Sequence, residues 1–182
     1  TVLLTFLYTH CADTCPLYLS NIRTTLASVP DRPIVVVVTV DPDRDTVERL
    51  ADYAVPWPAD WLFLTGTYQE VARVWARYGV SVRKRPPPHS SEVHHSYTVS
   101  HDGKLFIIGP DGQIANELTG AWTPSDLAAA LDQARAGAAS PASPLAALAR
   151  LVRQCGDLAG ARRRAAGDPP AAWAALDVPA YA

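Results

Sequence analysis

The sequence contains no methionine and only three cysteines among its 182 residues. Without methionine there is no thioether sulfur, so any soft metal ligand in this chain must be a cysteine. Three cysteines are too few for a small domain stapled by disulfides. The two that lie close together, Cys11 and Cys15, are therefore interpreted as metal-binding or redox-active.

The sequence also lacks a large excess of charge of either sign and has no long apolar run. The 16 Lys and Arg residues nearly balance the 18 Asp and Glu residues, and no basic stripe is present to neutralise phosphates, which excludes nucleic acid as a partner. No run approaches the roughly eighteen apolar residues of a membrane span, and no signal-peptide pattern precedes Thr1. We expect the chain as written to be soluble, and its apolar start to belong to a longer protein.

Two short apolar runs, 1–8 and 34–40, are rich in residues that favour strands. They lack strict alternation, which is typical of parallel strands that are covered on both faces. Between them, residues 16–28 predict a helix with Cys15 at the N-cap and Pro16 at the first helical position. Together these segments predict a βαβ unit.

Two further helices carry the signature of a capping box, in which an acidic residue follows the helix start by three positions. The predicted starts are Asp45 with Glu48 and Thr67 with Glu70, and the predicted ends are Ala54 and Tyr78, the latter followed by Gly79.

The second half of the sequence predicts strands at 97–108 and 114–118, joined by an Asp111-Gly112 hairpin turn, and a last helix from Thr123-Pro124 to Ala136. The order is parallel strands first and a hairpin last. It predicts an α/β fold of the thioredoxin-like sandwich type, with a central mixed sheet flanked by helices and one insertion.

Three segments are expected along the chain: a core domain at 1–136, a Pro- and Ser-containing linker at 137–143, and an Ala- and Arg-rich helical extension at 144–182. In the extension, Cys155 falls on an apolar helical stripe and is interpreted as a packed thiol, with metal binding or an interchain disulfide as alternatives. The cluster 162–164 of three arginines is interpreted as a solvated helix end, with anionic lipid or an acidic partner as alternatives.

Cys11 and Cys15 lie where a central strand ends and a helix begins, which is where open α/β sheets bind ligands. The helix N-terminus is expected to lower the thiol pKa, which favours both metal ligation and disulfide exchange. Three residues separate the two cysteines, one more than in a common redox dithiol, so the spacing allows a larger sulfur–metal–sulfur bite. Two small buried residues or an incidental disulfide remain alternatives.

Any of the five histidines could supply a third metal donor beside the two cysteines. His101 lies beside the Asp102-Gly103 turn, at a strand end that this fold brings near the end of the first strand, and it is the preferred candidate. The others are expected to point away from the cysteines or to lie solvated in a Pro-rich loop: His10, His89, His94 and His95.

Two thiolates and one imidazole suit Cu(I), which accepts low coordination numbers. Structural zinc normally takes four protein ligands, and iron–sulfur clusters normally take four cysteines. A zinc site completed by His94, His95 or water stays open as an alternative.

Four segments of the sequence resemble a known family of proteins. THCADTCP, VTVDPDRDT, FLTGTYQEVARVWARYGV and YTVSHDGKLFIIGPDG resemble, in order and separation, segments of the Sco/SenC family of copper-delivery proteins, across about Thr1 to Leu131. The resemblance implies that Cys11, Cys15 and His101 bind copper. It further implies delivery to the dinuclear copper site of cytochrome oxidase, or reduction of that site's cysteines.

The family works outside the bacterial cytoplasm or in the mitochondrial intermembrane space, usually tethered by one N-terminal membrane helix. The resemblance therefore implies an extracytoplasmic location and a tether that is not in this sequence. Asp13 matches the family's acidic residue between the cysteines, which implies that it tunes thiol basicity or recognises a partner; an exposed turn residue is the alternative.

The sequence also departs from the family pattern. Ser100 stands where the family usually has Asp before the ligand histidine, Ala12 replaces Pro, and Gly109 replaces Asp. Loss of an acidic neighbour is expected to change how His101 is oriented. The family's N-terminal hairpin has no counterpart here, which predicts an open sheet edge.

The leading hypothesis is a copper metallochaperone. A thiol–disulfide oxidoreductase and a copper or redox sensor are the alternatives. A peroxidase would need Thr and Arg near one activated cysteine. Thr9 is available, but no Arg lies close in sequence, and this reading is disfavoured.

Overall fold

A computed structural model describes residues 1–11, 14–85 and 97–137 of the chain. Seven strands and four helices lie within these ranges. They are β1 (Val2–Leu7), α1 (Thr14–Leu26), β2 (Ile34–Thr39), α2 (Val47–Ala54), β3 (Leu62–Leu64), α3 (Tyr68–Arg77), β4 (Val82–Arg85), β5 (Thr98–His101), β6 (Lys104–Ile108), β7 (Ile114–Thr119) and α4 (Pro124–Ala136).

The main sheet has five strands in the order β3-β2-β1-β6-β7. β1, β2 and β3 are parallel, whereas β6 pairs antiparallel with both β1 and β7, so the predicted mixed sheet is confirmed. Every residue of β1 is buried, as its unbroken apolar run predicts. The aromatic rings of Phe6, Tyr78 and Phe106 contact one another in the core, with centroids 5.1 to 6.3 Å apart. β1 is therefore a central strand, and its carboxyl end presents the cysteine pair.

The strand predicted at 97–108 is in fact two strands, which is a correction. The chain turns at Asp102-Gly103, and only β6 joins the main sheet, while β5 pairs antiparallel with β4 in a separate two-stranded sheet. Asp102 stabilises this turn because its carboxylate accepts a hydrogen bond from the Ser81 amide at 2.9 Å. His101 thus lies on a hairpin of its own.

Two predicted helix starts are wrong. α1 begins at Thr14, so Cys15 is its second residue and not its N-cap. α2 begins at Val47, and Thr46 caps it by accepting the Arg49 amide. Asp45 does not cap the helix because its side chain is fully buried and bonds elsewhere, as described below.

The other two helix starts are confirmed. Thr67 with Glu70 and Thr123 with Asp126 form complete capping boxes at α3 and α4. α3 ends at Arg77, one residue before the predicted end, with Tyr78 as its C-cap, and Gly79 follows with φ of 59°, the left-handed conformation that favours glycine. The β6–β7 hairpin likewise turns through Gly112, with φ of 79°.

Several predictions fall on residues outside the described ranges, so they stay predictions. They concern the linker beyond Gly137, the extension at 144–182 with Cys155 and the arginines 162–164, and Ala12, Asp13, His89, His94 and His95. Within the ranges that are described, no helix combines the length and the apolar character that crossing a bilayer requires.

Candidate metal centre

The two cysteines lie in the turn between β1 and α1. The Cys11 amide donates to the Tyr8 carbonyl at 3.2 Å, which closes the turn after the strand. Cys15, in the first turn of α1, is 3% exposed, whereas Cys11 is half-buried. The Cys15 amide donates to Cys11 Sγ at 3.4 Å, so the first sulfur caps an amide at the start of the helix. Neither sulfur is part of a disulfide, and Cys11 is the one that solvent reaches.

The helix start does not lower the pKa of Cys15, contrary to the expectation from sequence. The hydrogen bond with Cys11 and then burial raise the pKa of the Cys15 thiol. Both effects favour the neutral form, because the buried sulfur would carry its charge away from water and beside a second sulfur. Metal ligation at Cys15 must therefore displace a proton, which makes affinity increase with pH.

His101 stands opposite the cysteine pair, at the end of β5. Its Nε2 atom is 4.0 Å from Cys15 Sγ. Its Nδ1 atom is 3.1 Å from the Asp102 carbonyl oxygen, and since a carbonyl only accepts hydrogen bonds, Nδ1 carries the proton. Nε2 therefore turns its lone pair toward the sulfur, which is the tautomer that a metal ligand requires.

The neutral state of His101 follows from its surroundings. Burial lowers the pKa of this imidazole, and the Tyr8 ring packs against it edge to face with centroids 6.1 Å apart. Ser100, where the family usually has an acidic residue, is exposed on the outer face of β5. A backbone carbonyl thus orients the ring in this chain.

The separation of Cys15 and His101 is compatible with a metal between them. Bonds of about 2.3 Å to sulfur and 2.0 Å to nitrogen span 4.0 Å at an angle of about 135°. In the part of the chain that the structure describes, however, no three His, Cys, Asp or Glu side chains already stand in a closed arrangement for a metal ion. Cys15 is the residue that both other candidates approach, since its sulfur faces His101 Nε2 and its amide donates to Cys11 Sγ.

A buried carboxylate that sequence reasoning assigned wrongly supports the cysteine turn. Asp45 is 0% exposed and accepts hydrogen bonds from the amide of Thr9 at 3.1 Å, from Thr9 Oγ1 at 2.6 Å and from Thr39 Oγ1 at 2.6 Å. It ties the residues just before Cys11 to the end of β2. The signal in the sequence was the charged DPDRD segment, which directly follows a fully apolar strand.

α2 brings an arginine to the cysteine turn, a contact that the sequence analysis did not predict. Arg49 Nε donates to Thr9 Oγ1 at 3.2 Å, so an Arg does lie near the Thr that precedes Cys11, although it is distant along the chain. The same threonine hydroxyl donates to Asp45. His10 is exposed, and its Nδ1 atom lies 3.2 Å from Thr9 Oγ1.

The turn after His101 fits closely against α1. A Cβ atom on Gly103 would lie 2.8 Å from the hydroxyl of Tyr18, which itself donates to the Gly120 carbonyl at 2.7 Å. The Tyr18 ring stacks on Trp122, with centroids 5.3 Å apart. Only glycine allows the hairpin to approach the helix that carries Cys15 at this distance.

Replacing Asp45 by Asn is expected to change how stability depends on pH. Burial raises the pKa of Asp45, so the folded protein holds this proton more tightly than the unfolded chain does. That contribution is fully present below the unfolded-state pKa, about 3.9, and is lost as the pH rises through the folded-state pKa. Urea unfolding from pH 4 to pH 7 should show the parent losing stability relative to Asp45→Asn. A constant difference across this range would contradict the assignment.

This chain is similar in sequence to proteins of a known family. The model of the SCO1/SenC family matches residues 1–136. The mitochondrial SCO2 homolog of Mus musculus is 34% identical over 116 residues, which cover 61% of this chain and 44% of that protein. The chain spans about half the length of the curated relatives it matches.

Solved structures share the fold. ScoI of Bradyrhizobium japonicum, whose structure was determined with copper bound, is 28% identical in sequence and superposes with a TM-score of 0.60. The match covers 74% of this chain and 83% of the ScoI chain. BsSco, from a study of a disulfide switch in a member of the Sco family of cytochrome c oxidase assembly proteins, is 21% identical with a TM-score of 0.54. It covers 75% of this chain and 81% of its own, and this likeness shows the fold alone.

Proposed function

Because the chain belongs to the SCO1/SenC family, we propose that it binds one copper ion through Cys11, Cys15 and His101 and delivers it to the dinuclear copper site of cytochrome oxidase. The observation that carries the proposal is the approach of His101 Nε2 to Cys15 Sγ at 4.0 Å, with the proton of the ring held on the other nitrogen. The copper bound to the Bradyrhizobium ScoI relative supports the choice of metal.

The donor set suits uptake and release of Cu(I). Cys11 is the accessible sulfur and meets the incoming ion first, and Cys15 then binds as it loses its proton. The neutral imidazole closes the site from the second sheet. Three soft or borderline donors leave one face of the ion open, so a thiol of the receiving protein exchanges with one ligand at a time.

The partner and the location follow from the same proposal. The receiving protein is the cytochrome oxidase subunit that carries the dinuclear copper site, and the protein works outside the bacterial cytoplasm, held by a membrane tether. The mitochondrial SCO2 homolog among its relatives is consistent with a site of action outside the cytoplasm.

A second candidate, reduction of a disulfide in that partner, is favoured by the unequal exposure of the two thiols. Cys11 is half-buried and Cys15 is buried, which suits an attacking and a resolving cysteine. The Cys11 thiolate would attack one partner sulfur and release the other as a thiolate. Cys15 would then displace the partner from Cys11, which leaves a dithiol in the partner and a Cys11–Cys15 disulfide here.

Anaerobic titration of the reduced protein tests the copper proposal. We expect one Cu(I) per chain, bound in competition with a Cu(I) chelator, and thiolate-to-copper charge-transfer bands when Cu(II) is used. A parallel titration with Zn(II) tests the zinc alternative and should give much weaker binding. The proposal is contradicted if protein whose cysteines have been alkylated takes up copper as the untreated protein does.

A further inference from the structure

β5 and the residue before it turn three alternate side chains toward the body of the domain. These are Tyr97, which directly precedes the strand, Val99 and His101, whereas Thr98 and Ser100 are exposed. Val99 is 5% exposed and packs in the core. Because β4 and β5 form a sheet separate from the main one, no strand pairing with the main sheet determines the tilt of β5. The Asp102-Gly103 turn holds one end of β5, and contacts near Tyr97 hold the other.

The Tyr97 end of β5 is held by the loop that follows β2. The guanidinium of Arg44 stacks on the Tyr97 ring, 3.8 Å from its centroid, and Arg44 Nη1 donates to the Tyr97 carbonyl at 3.0 Å. The Tyr97 hydroxyl donates to Asp41 Oδ1 at 2.6 Å, and Arg44 Nε donates to the other oxygen of the same carboxylate. We call these three residues, Asp41, Arg44 and Tyr97, the Tyr97 latch.

The neighbouring strand is tied to the same loop. Lys84 of β4 lies 4.9 Å over the Tyr97 ring and 3.9 Å from Asp41 Oδ1, and it forms an ion pair with Asp43. Asp41 is 0% exposed, so its carboxylate is a buried anion whose partners come from both its own loop and the hairpin. Buried ion pairs often contribute little net stability, so we expect this one to act by holding the loop and the two strands in one arrangement.

The geometry makes His101 sensitive to this end of the strand. Val99 and His101 are two residues apart, about 6.6 Å along the strand, so a rotation of β5 by about 10° around Val99 moves His101 by about 1 Å. A metal ligand tolerates much less than that displacement. We propose that the Tyr97 latch positions His101 for copper, which makes Tyr97, Arg44 and Asp41 positioning residues of the metal centre. This inference rests on the proposed function.

A double-mutant cycle tests the latch. Tyr97→Ala should weaken Cu(I) binding by about 10- to 100-fold, the range typical of residues that orient a metal ligand. Tyr97→Phe keeps the ring under Arg44 and should restore most of the affinity. Thr98→Ala, on the exposed face of the same strand, is the matched control and should bind as the parent does. In the His101→Ala background, Tyr97→Ala should have no further effect, because the ligand it positions is gone.

Two results would overturn the latch: parent-like affinity in Tyr97→Ala, or an equal loss caused by Tyr97→Ala with and without His101. The second would mean that the substitution weakens the fold in general. If His101→Ala binds copper as the parent does, the three-donor function fails instead. A measurement without metal then decides the latch, since the nuclear Overhauser contact between the His101 and Tyr8 rings should weaken several-fold in Tyr97→Ala and keep its parent intensity in Tyr97→Phe. Parent intensity in Tyr97→Ala would refute the latch.

Discussion

Copper affinity of the reduced protein is expected to fall by at least about 10⁴-fold when Cys11 and Cys15 are both replaced by serine. Residues that merely orient a ligand change affinity by about 10- to 100-fold, and here two ligands are removed outright. A serine hydroxyl is a hard, protonated donor, whereas Cu(I) selects thiolate. The remaining imidazole of His101 cannot hold the ion alone. Competition with a Cu(I) chelator under anaerobic conditions gives the affinity of each variant.

The chain offers a matched control for this change. Cys155 lies outside the described residues and outside the resemblance to copper-delivery proteins, so Cys155→Ser should keep one copper per chain with unchanged affinity. Circular dichroism of the double variant checks that the fold survives. Stoichiometric copper binding by a folded Cys11→Ser, Cys15→Ser protein would remove the basis for the proposed copper site.

His101→Ala is expected to weaken Cu(I) binding by at least about 100-fold and to leave reduction of a partner disulfide largely intact. In the proposed site the imidazole is the third donor, with Nε2 facing Cys15 Sγ, whereas disulfide exchange uses only the two sulfurs. Copper competition and turnover of a dithiol-dependent disulfide substrate, measured on the same samples, separate the two activities.

His10→Ala is the control for this variant, because His10 is an exposed imidazole adjacent to Cys11 in sequence. It should retain the affinity of the parent. Equal copper affinity in His101→Ala and the parent would exclude the three-donor site, while a parallel loss of disulfide reduction would show that His101 acts on the thiols themselves.

The loop that follows β2 contacts both parts of the candidate metal centre, the cysteine turn and the strand that ends in His101. Asp45 holds the threonine that precedes Cys11, and Asp41 with Arg44 holds the strand that ends in His101. All three residues follow β2 within the segment DPDRD. The loop therefore positions both the cysteine turn and the strand of His101, although 86 positions separate Cys15 from His101 along the chain.

Local patterns sufficed for much of the fold. The unbroken apolar runs predicted β1 and β2, and the capping residues Thr67 and Thr123 predicted where α3 and α4 begin. These features depend on neighbours within a few positions, so the sequence carries them in full. The same local rule was wrong at Asp45, where hydrogen bonds to Thr9 and Thr39 across the sheet end outweigh a place at the helix start.

Some properties of the candidate site were likewise predicted from the sequence, and others were visible only in the folded structure. The sequence by itself determined that two thiols stand at the end of a central strand. It favoured His101 as their partner, a choice that the family resemblance also implies. Only the tertiary structure decided that Cys15 is a buried, neutral thiol, that a backbone carbonyl orients His101, and that Arg49 reaches Thr9. Burial, solvent exclusion and contacts between distant segments set these properties, and none of them exists until the chain has packed.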